Sequence, residues 1–119
     1  MPKAESRLAI LGAGPIGLEA GLYAKQLGLP FTIYERGRLA EHVLRWGHVK
    51  LFSPFGMNAT PLGRAAIKNQ KPTYDFPADD YCLTGREHVA RYLAPLAETL
   101  QGNLQTETLV MRVDRKSVV

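Results

Sequence analysis

One stretch constrains this chain more than any other: Arg7-Leu-Ala-Ile-Leu-Gly-Ala-Gly-Pro-Ile-Gly-Leu-Glu-Ala-Gly21, followed after a helix-length interval by Phe31-Thr-Ile-Tyr-Glu35. A short apolar strand runs into Gly12-x-Gly14-x-x-Gly17, a helix-length segment follows, and a second apolar strand closes on an acid. Strand, glycine turn, helix and strand in that order predict a βαβ unit. Gly12 lets the chain leave the strand in a tight turn, and Gly14, having no side chain, lets the backbone come close to a ligand. Gly17 and Gly21 allow the helix to lie against the strands.

The pattern points to an anion at the start of the helix. Unpaired backbone N–H groups and the positive end of the helix dipole favour a diphosphate there without a lysine. The residues expected to surround it are Gly12, Ala13, Gly14, Pro15, Ile16 and Gly17. Glu35 lies eighteen residues beyond Gly17, where a carboxylate can accept hydrogen bonds from both hydroxyls of an adenosine ribose and would repel a phosphorylated one. The plainer alternative is that the βαβ unit is scaffold alone and Glu35 a solvated strand terminus.

Gly12-Ala-Gly-Pro-Ile-Gly17, with proline directly after the second glycine, then Leu27-Gly28 and Ile33-Tyr-Glu35-Arg36, resembles the N-terminal FAD-binding portion of FAD-dependent pyridine-nucleotide oxidoreductases and flavin monooxygenases. More faintly, Thr84–Glu98 is similar to the helix before that family's third strand, and Leu104–Val113 to the strand itself and the start of the following meander. The resemblance implies an α/β, Rossmann-like βαβ dinucleotide-binding fold with a small parallel sheet. It implies FAD as the cofactor, with its ADP moiety on the glycine turn, Glu35 and Arg36, and a backbone group near Val110 meeting the adenine. NAD(P)H would be the electron donor in a full-length relative. By the same resemblance, the loop from Trp46 to Asn58 passes the isoalloxazine side, where Trp46 or Phe52 could wall the flavin and His48 or Ser53 hydrogen-bond near it.

Family members are longer, with a second glycine fingerprint for NAD(P)H and a distal Gly-Asp segment holding the ribityl and phosphate end; neither pattern occurs in this sequence. The expectation is therefore a fragment or truncated form of a flavin-dependent oxidoreductase. A non-catalytic module holding an adenine dinucleotide is the alternative. A plain NAD-dependent dehydrogenase is a third reading, since Glu35 suits NAD equally; Pro15 and the lack of further dehydrogenase strands speak against it.

With 119 residues, 45% of them apolar and 22% charged, residues 1–119 are expected to form one domain. A parallel sheet of two or three strands wants cover on both faces, so a second copy, or the remainder of a longer chain, is expected to complete it. The net charge of +4 is spread over Lys3, Arg7, Arg36, Arg38, Arg45, Lys50, Lys68, Lys71 and Arg86, with a small cluster at Arg112, Arg115 and Lys116. No concentrated basic stripe suggests nucleic acid. Cys82 is the one cysteine, which excludes a disulfide framework and a paired-cysteine redox centre, and it is expected to be a small buried hydrophobe. Neither a signal peptide nor an apolar run of about eighteen residues is present, so the expected location is the cytoplasm, away from any membrane.

The remaining elements follow from punctuation. Strands are expected at 7–11, 31–35 and 104–108, and a first helix at 15–27 stopped by Gly28. Residues 36–83, with Pro54, Pro61, Pro72 and Pro77, are expected to form a long irregular segment whose aromatics pack onto the sheet. Thr84-Gly-Arg-Glu87 has capping-box spacing and opens a helix over 84–101, with Val89, Leu93, Leu96 and Leu100 as its apolar stripe and a kink at Pro95. Asp75, Asp79 and Asp80 read as a solvated turn, Tyr74 and Tyr81 as packing, and no histidine or cysteine spacing suits a metal.

Overall fold

The computed structural model describes residues 7–115; Lys3, Lys116 and the other terminal residues lie outside this range. Strand β1 (Leu8–Leu11), helix α1 (Pro15–Gln26) and strand β2 (Phe31–Tyr34) form the expected βαβ unit. The strands are parallel, with Leu8 opposite Phe31 and Leu11 opposite Tyr34. Strand β3 (Leu104–Gln105) adds to the other edge of β2, also in parallel, so β2 is central in the order β1-β2-β3. This is a small Rossmann-like α/β arrangement.

Alternation along β2 turns Phe31 and Ile33 into the core. A Cβ on Gly21 of α1 would lie 2.8 Å from Ile33 Cδ1 and 3.2 Å from Phe31 Cε2, so the bare backbone sets how closely the helix approaches. The helix stops at Gly28 (φ +73°). The Gly28 N–H bonds the Lys25 carbonyl and the Leu29 N–H the Ala24 carbonyl, the paired bonds of a Schellman motif. On the opposite face of the sheet, Ala9 and Leu11 are exposed and Thr32 and Tyr34 half-buried.

Residues 36–83 depart from the irregular segment expected of them: they contain α2 (Glu41–Trp46), α3 (Phe55–Asn58) and α4 (Pro61–Gln70). Two prolines read as interruptions are helix starts. Pro54 leads into α3 in an extended conformation, and Pro61 is the first residue of α4, where an N–H would have no intrahelical partner anyway. Thr60 caps α4, its Oγ1 accepting from the Gly63 N–H at 2.9 Å.

The expected helix at 84–101 is built of α5 (Gly85–His88), a π-helical turn (Val89–Leu93) and α6 (Ala94–Glu98), followed by a 3₁₀ turn at Gln101–Asn103. The capping box is formed: the Glu87 N–H donates to Thr84 Oγ1 at 3.1 Å and the Thr84 N–H to Glu87 Oε1 at 2.9 Å. Just ahead of Pro95, where a kink is expected, the chain widens into the π turn, and the Ala94 N–H reaches the Val89 carbonyl. Proline also withholds the N–H that would serve the Arg91 carbonyl. The Tyr74 hydroxyl donates to that carbonyl instead, at 2.7 Å.

The stripe Val89, Leu93, Leu96 and Leu100 is buried. The middle aromatics do not pack onto the sheet as expected. Phe55 is fully buried in a layer with Phe76, His88 and Tyr92, ring centroids 6.2, 6.4 and 5.5 Å away, and the Arg64 guanidinium lies 5.0 Å from its ring centre. Trp46 is 50% exposed and Phe52 fully exposed. Their burial fails because the loop meets α5 and the aromatic layer, not β1 or β2; Leu51 and Phe55 donate backbone bonds to Leu83 and Tyr81. Cys82 is half-buried instead of buried. Tyr74 packs edge-on against Phe76, whereas Tyr81 is 42% exposed. Asp79 bonds Arg64 at 2.6 Å.

His88 is 4% exposed, and its Nδ1 has no hydrogen-bond partner among the described residues. Burial holds its imidazole below the ordinary value of 6.5, favouring the neutral ring in the folded chain. Below pH 6.5 the unfolded chain takes up a proton that the folded chain refuses, so this contribution to stability is complete above 6.5 and is lost as pH falls towards the folded-state value. Thermal midpoints between pH 7.5 and 5 are expected to fall, and to fall less in His88→Phe. Equal slopes for the two proteins would refute this reading of His88.

Candidate functional site

The glycine turn has the form that its sequence requires. Gly12 adopts φ +107°, a conformation that L side chains rarely take, and donates its N–H to the Tyr34 carbonyl at 2.8 Å. Its carbonyl then lies against Gly17, where any Cβ would overlap the Gly12 oxygen. At Gly14, by contrast, a Cβ would meet nothing within 4 Å, and the backbone faces open space. Pro15 occupies the first position of α1. Among the described residues nothing accepts a hydrogen bond from the N–H groups of Gly14, which caps the twelve-residue helix α1, or of Ile16 and Gly17 in its first turn. Ile16 itself is 82% exposed.

Glu35 follows β2 and reaches back to this turn. One carboxylate oxygen accepts the Ala13 N–H at 2.8 Å and the other the Gly37 N–H, also at 2.8 Å. Ala13 is completely buried, and its carbonyl accepts the Ala40 N–H at 2.9 Å. Ala40 holds the left-handed conformation (φ 53°) just before α2, so the loops after β1 and β2 are laced together.

Two cavities open beside Glu35. The smaller, about 260 Å³, is bounded by Leu11, Gly12, Glu35, Arg36, His42 and Val110 among others. The larger, about 480 Å³, lies between Glu35, Arg36, Glu41, His42, Arg45 and Leu109. Hydrogen bonding from Arg38 holds the Glu41 carboxyl down to about 2. The larger recess therefore carries fixed charges of both signs.

Val110 arrives here because β3 is shorter than the expected strand at 104–108. After Gln105 the chain turns at Glu107 (φ 50°), whose N–H bonds the Gly37 carbonyl, while the Thr108 N–H bonds the Glu35 carbonyl at 2.8 Å. Of the residues expected at a site, Gly12, Glu35, Arg36 and Val110 border the smaller cavity and Ala13 is bonded to Glu35, whereas Gly14, Pro15, Ile16 and Gly17 border neither cavity. Trp46, at the end of α2, borders neither cavity. Gly37, His42, Arg45 and Leu109 enter without sequence warning; His42 is visible only as the second residue of a helix that the sequence did not announce.

No cluster of three metal-ligating side chains occurs among the described residues, and none of their helices is long and apolar enough to cross a membrane.

The fold is shared with larger proteins of known structure. Bacillithiol disulfide reductase Bdr from Staphylococcus aureus superposes with a TM-score of 0.65 at 17% identity, over 86% of this chain and 28% of that one. An oxidized steroid monooxygenase bound to NADP gives 0.65 at 17% identity, over 85% and 19%. OTEMO in complex with FAD and NADP gives 0.60 at 17% identity, over 90% and 19%. The chain therefore spans less than a third of the length of these structures. No curated protein matches it. A family model, described as pyridine nucleotide-disulphide oxidoreductase, matches residues 9–118, from β1 through the glycine turn and Glu35 to the segment beyond β3. With that match spanning nearly the whole sequence, the chain belongs to the pyridine nucleotide-disulphide oxidoreductase family.

Proposed function

We propose that these residues are the ADP-binding portion of a flavin-dependent, monooxygenase-like oxidoreductase, with FAD as the cofactor. The observation that carries the reading is the conjunction at α1: free amides at Gly14, Ile16 and Gly17, open space where a Gly14 side chain would be, and a carboxylate bordering an open cavity. An ADP moiety fits this donor set. The amides and the helix dipole would hold the diphosphate. Glu35 would accept from the ribose hydroxyls, since each of its oxygens keeps a lone pair beyond the bond that it already accepts. Arg36 and the backbone near Val110 would flank the adenine.

When bound, FAD supplies hydride and electron transfer, with NAD(P)H as the donor in a full-length protein. The chain's own residues orient the cofactor through its nucleotide end. Its remaining surroundings, including any role for Trp46, belong to the flavin end. A single cysteine, Cys82, leaves no dithiol pair within this sequence. The same reading makes residues 1–119 one dinucleotide-binding domain of a cytoplasmic protein, its open sheet face covered by further polypeptide or by a second copy.

The test is reconstitution. Protein incubated with FAD is expected to stay yellow through gel filtration, with flavin absorbance co-eluting. Colourless protein that takes up neither FAD nor NAD would favour the non-catalytic module, and uptake of NAD alone would favour a dehydrogenase.

A further inference from the structure

We infer that Glu35 is also a positioning residue, which builds the diphosphate cradle before any nucleotide arrives; this role rests on the dinucleotide reading above. Its carboxylate spans two loops, accepting from Ala13 in the turn after β1 and from Gly37 in the turn after β2, each at 2.8 Å. Its backbone is equally tied, the N–H to the Gln105 carbonyl and the carbonyl to the Thr108 N–H, both at 2.8 Å. The carboxylate is therefore anchored in place and cannot swing in as a ligand does so.

Ala13 is the residue through which this matters. It sits between Gly12 and Gly14, and its peptide N–H orients the plane that leads into the free amides of α1. A bond to an ionised acceptor is roughly twice as strong as a neutral one, and here two converge on one side chain. The consequence is geometric. One group fixes the ribose subsite and the diphosphate subsite relative to each other, so binding need not first order the loop.

Glu35→Gln separates this role from a simple ribose contact, because it leaves one carbonyl oxygen but turns an NH₂ donor towards one of the two N–H groups. In nucleotide-free protein, the Ala13 or Gly37 amide is expected to exchange with deuterium about ten- to a hundredfold faster in the variant. Unchanged exchange at both amides would overturn the proposal. A second measurement needs no variant. As wild-type protein is acidified, the amide proton resonances of Ala13 and Gly37 should move with one midpoint, that of the Glu35 carboxyl carbon. His42, Arg36, Glu41 and Arg45 line the same recess as Glu35. A midpoint following His42 or Glu41, or no movement, would contradict the clamp. Both measurements are made without nucleotide, so they stand apart from FAD uptake: uptake can fail with the clamp intact, and the clamp can fail with uptake intact.

Discussion

Gly17→Ala is expected to cost the fold at least about 3 kcal/mol, the upper end for overpacking, while Gly14→Ala costs it almost nothing and weakens nucleotide binding. The two glycines sit one helical turn apart in the same motif and have opposite surroundings. A Cβ on Gly17 overlaps the carbonyl oxygen of Gly12, a backbone atom that cannot move without opening the β1–α1 turn. A Cβ on Gly14 meets nothing of the chain, and the residue's φ of −89° is one that alanine adopts readily. Total stability of a small domain is about 5–15 kcal/mol, and one with an exposed sheet face belongs at the lower end. Gly17→Ala should therefore lower the thermal midpoint by about 12 °C or leave the chain unfolded. Gly14→Ala should keep its midpoint within about 2 °C, yet weaken FAD binding at least about tenfold, or about 1.4 kcal/mol, because its methyl group occupies the space proposed for the diphosphate. Normal FAD affinity in Gly14→Ala would remove that space from the account.

Phe55→Ala is expected to behave in the opposite way, losing about 3–5 kcal/mol of stability while the folded fraction keeps its nucleotide affinity. Phe55 is fully buried and touches Phe76, His88 and Tyr92 edge or face, with Arg64 over its ring. This aromatic layer is joined to α1 through Thr60, whose N–H donates to the Tyr92 hydroxyl at 3.3 Å. The Thr60 hydroxyl, ahead of α4, donates to Glu19 of α1 at 2.8 Å. Urea unfolding measures the loss. A change below about 1 kcal/mol would mean that the layer is not part of the core.

The legible part of the fold is the part with local, obligatory chemistry. The β1-α1-β2 unit could be read because its glycines answer steric demands made within a few residues: the positive φ at Gly12, the Gly12–Gly17 contact, the Schellman end at Gly28. The Thr84–Glu87 capping box could be read for the same reason, since both of its bonds join residues three apart. Residues 36–83 hid their helices because each is short, and α3 and α4 begin at or beside a proline. Phe55–Asn58 buries one side chain, and Pro61–Gln70 buries just Gly63 and Ile67, so no apolar period stands out. The π turn was equally hidden. It depends on Pro95, but also on Tyr74, seventeen residues from the Arg91 carbonyl that it satisfies.

The site divides along the same line. Gly12 to Gly17 and Glu35, the residues of the proposed nucleotide site, are marked by their spacing. Gly37, His42 and Leu109 join them through tertiary bonds, such as Glu107 to Gly37 and Thr108 to Glu35, that no local pattern encodes. The clamp from Glu35 to Ala13 was hidden too, because an acid ending a strand announces a ligand and gives no sign that it also holds its own backbone.

The most direct measurement is calorimetric titration of the chain with ADP and with its 2′-phosphorylated derivative. A diphosphate seated on the α1 amides beside an ionised Glu35 predicts saturable binding of ADP. It also predicts affinity at least about a hundredfold weaker once a second anion is placed against the carboxylate. No heat with ADP, or equal affinity for both compounds, would contradict it.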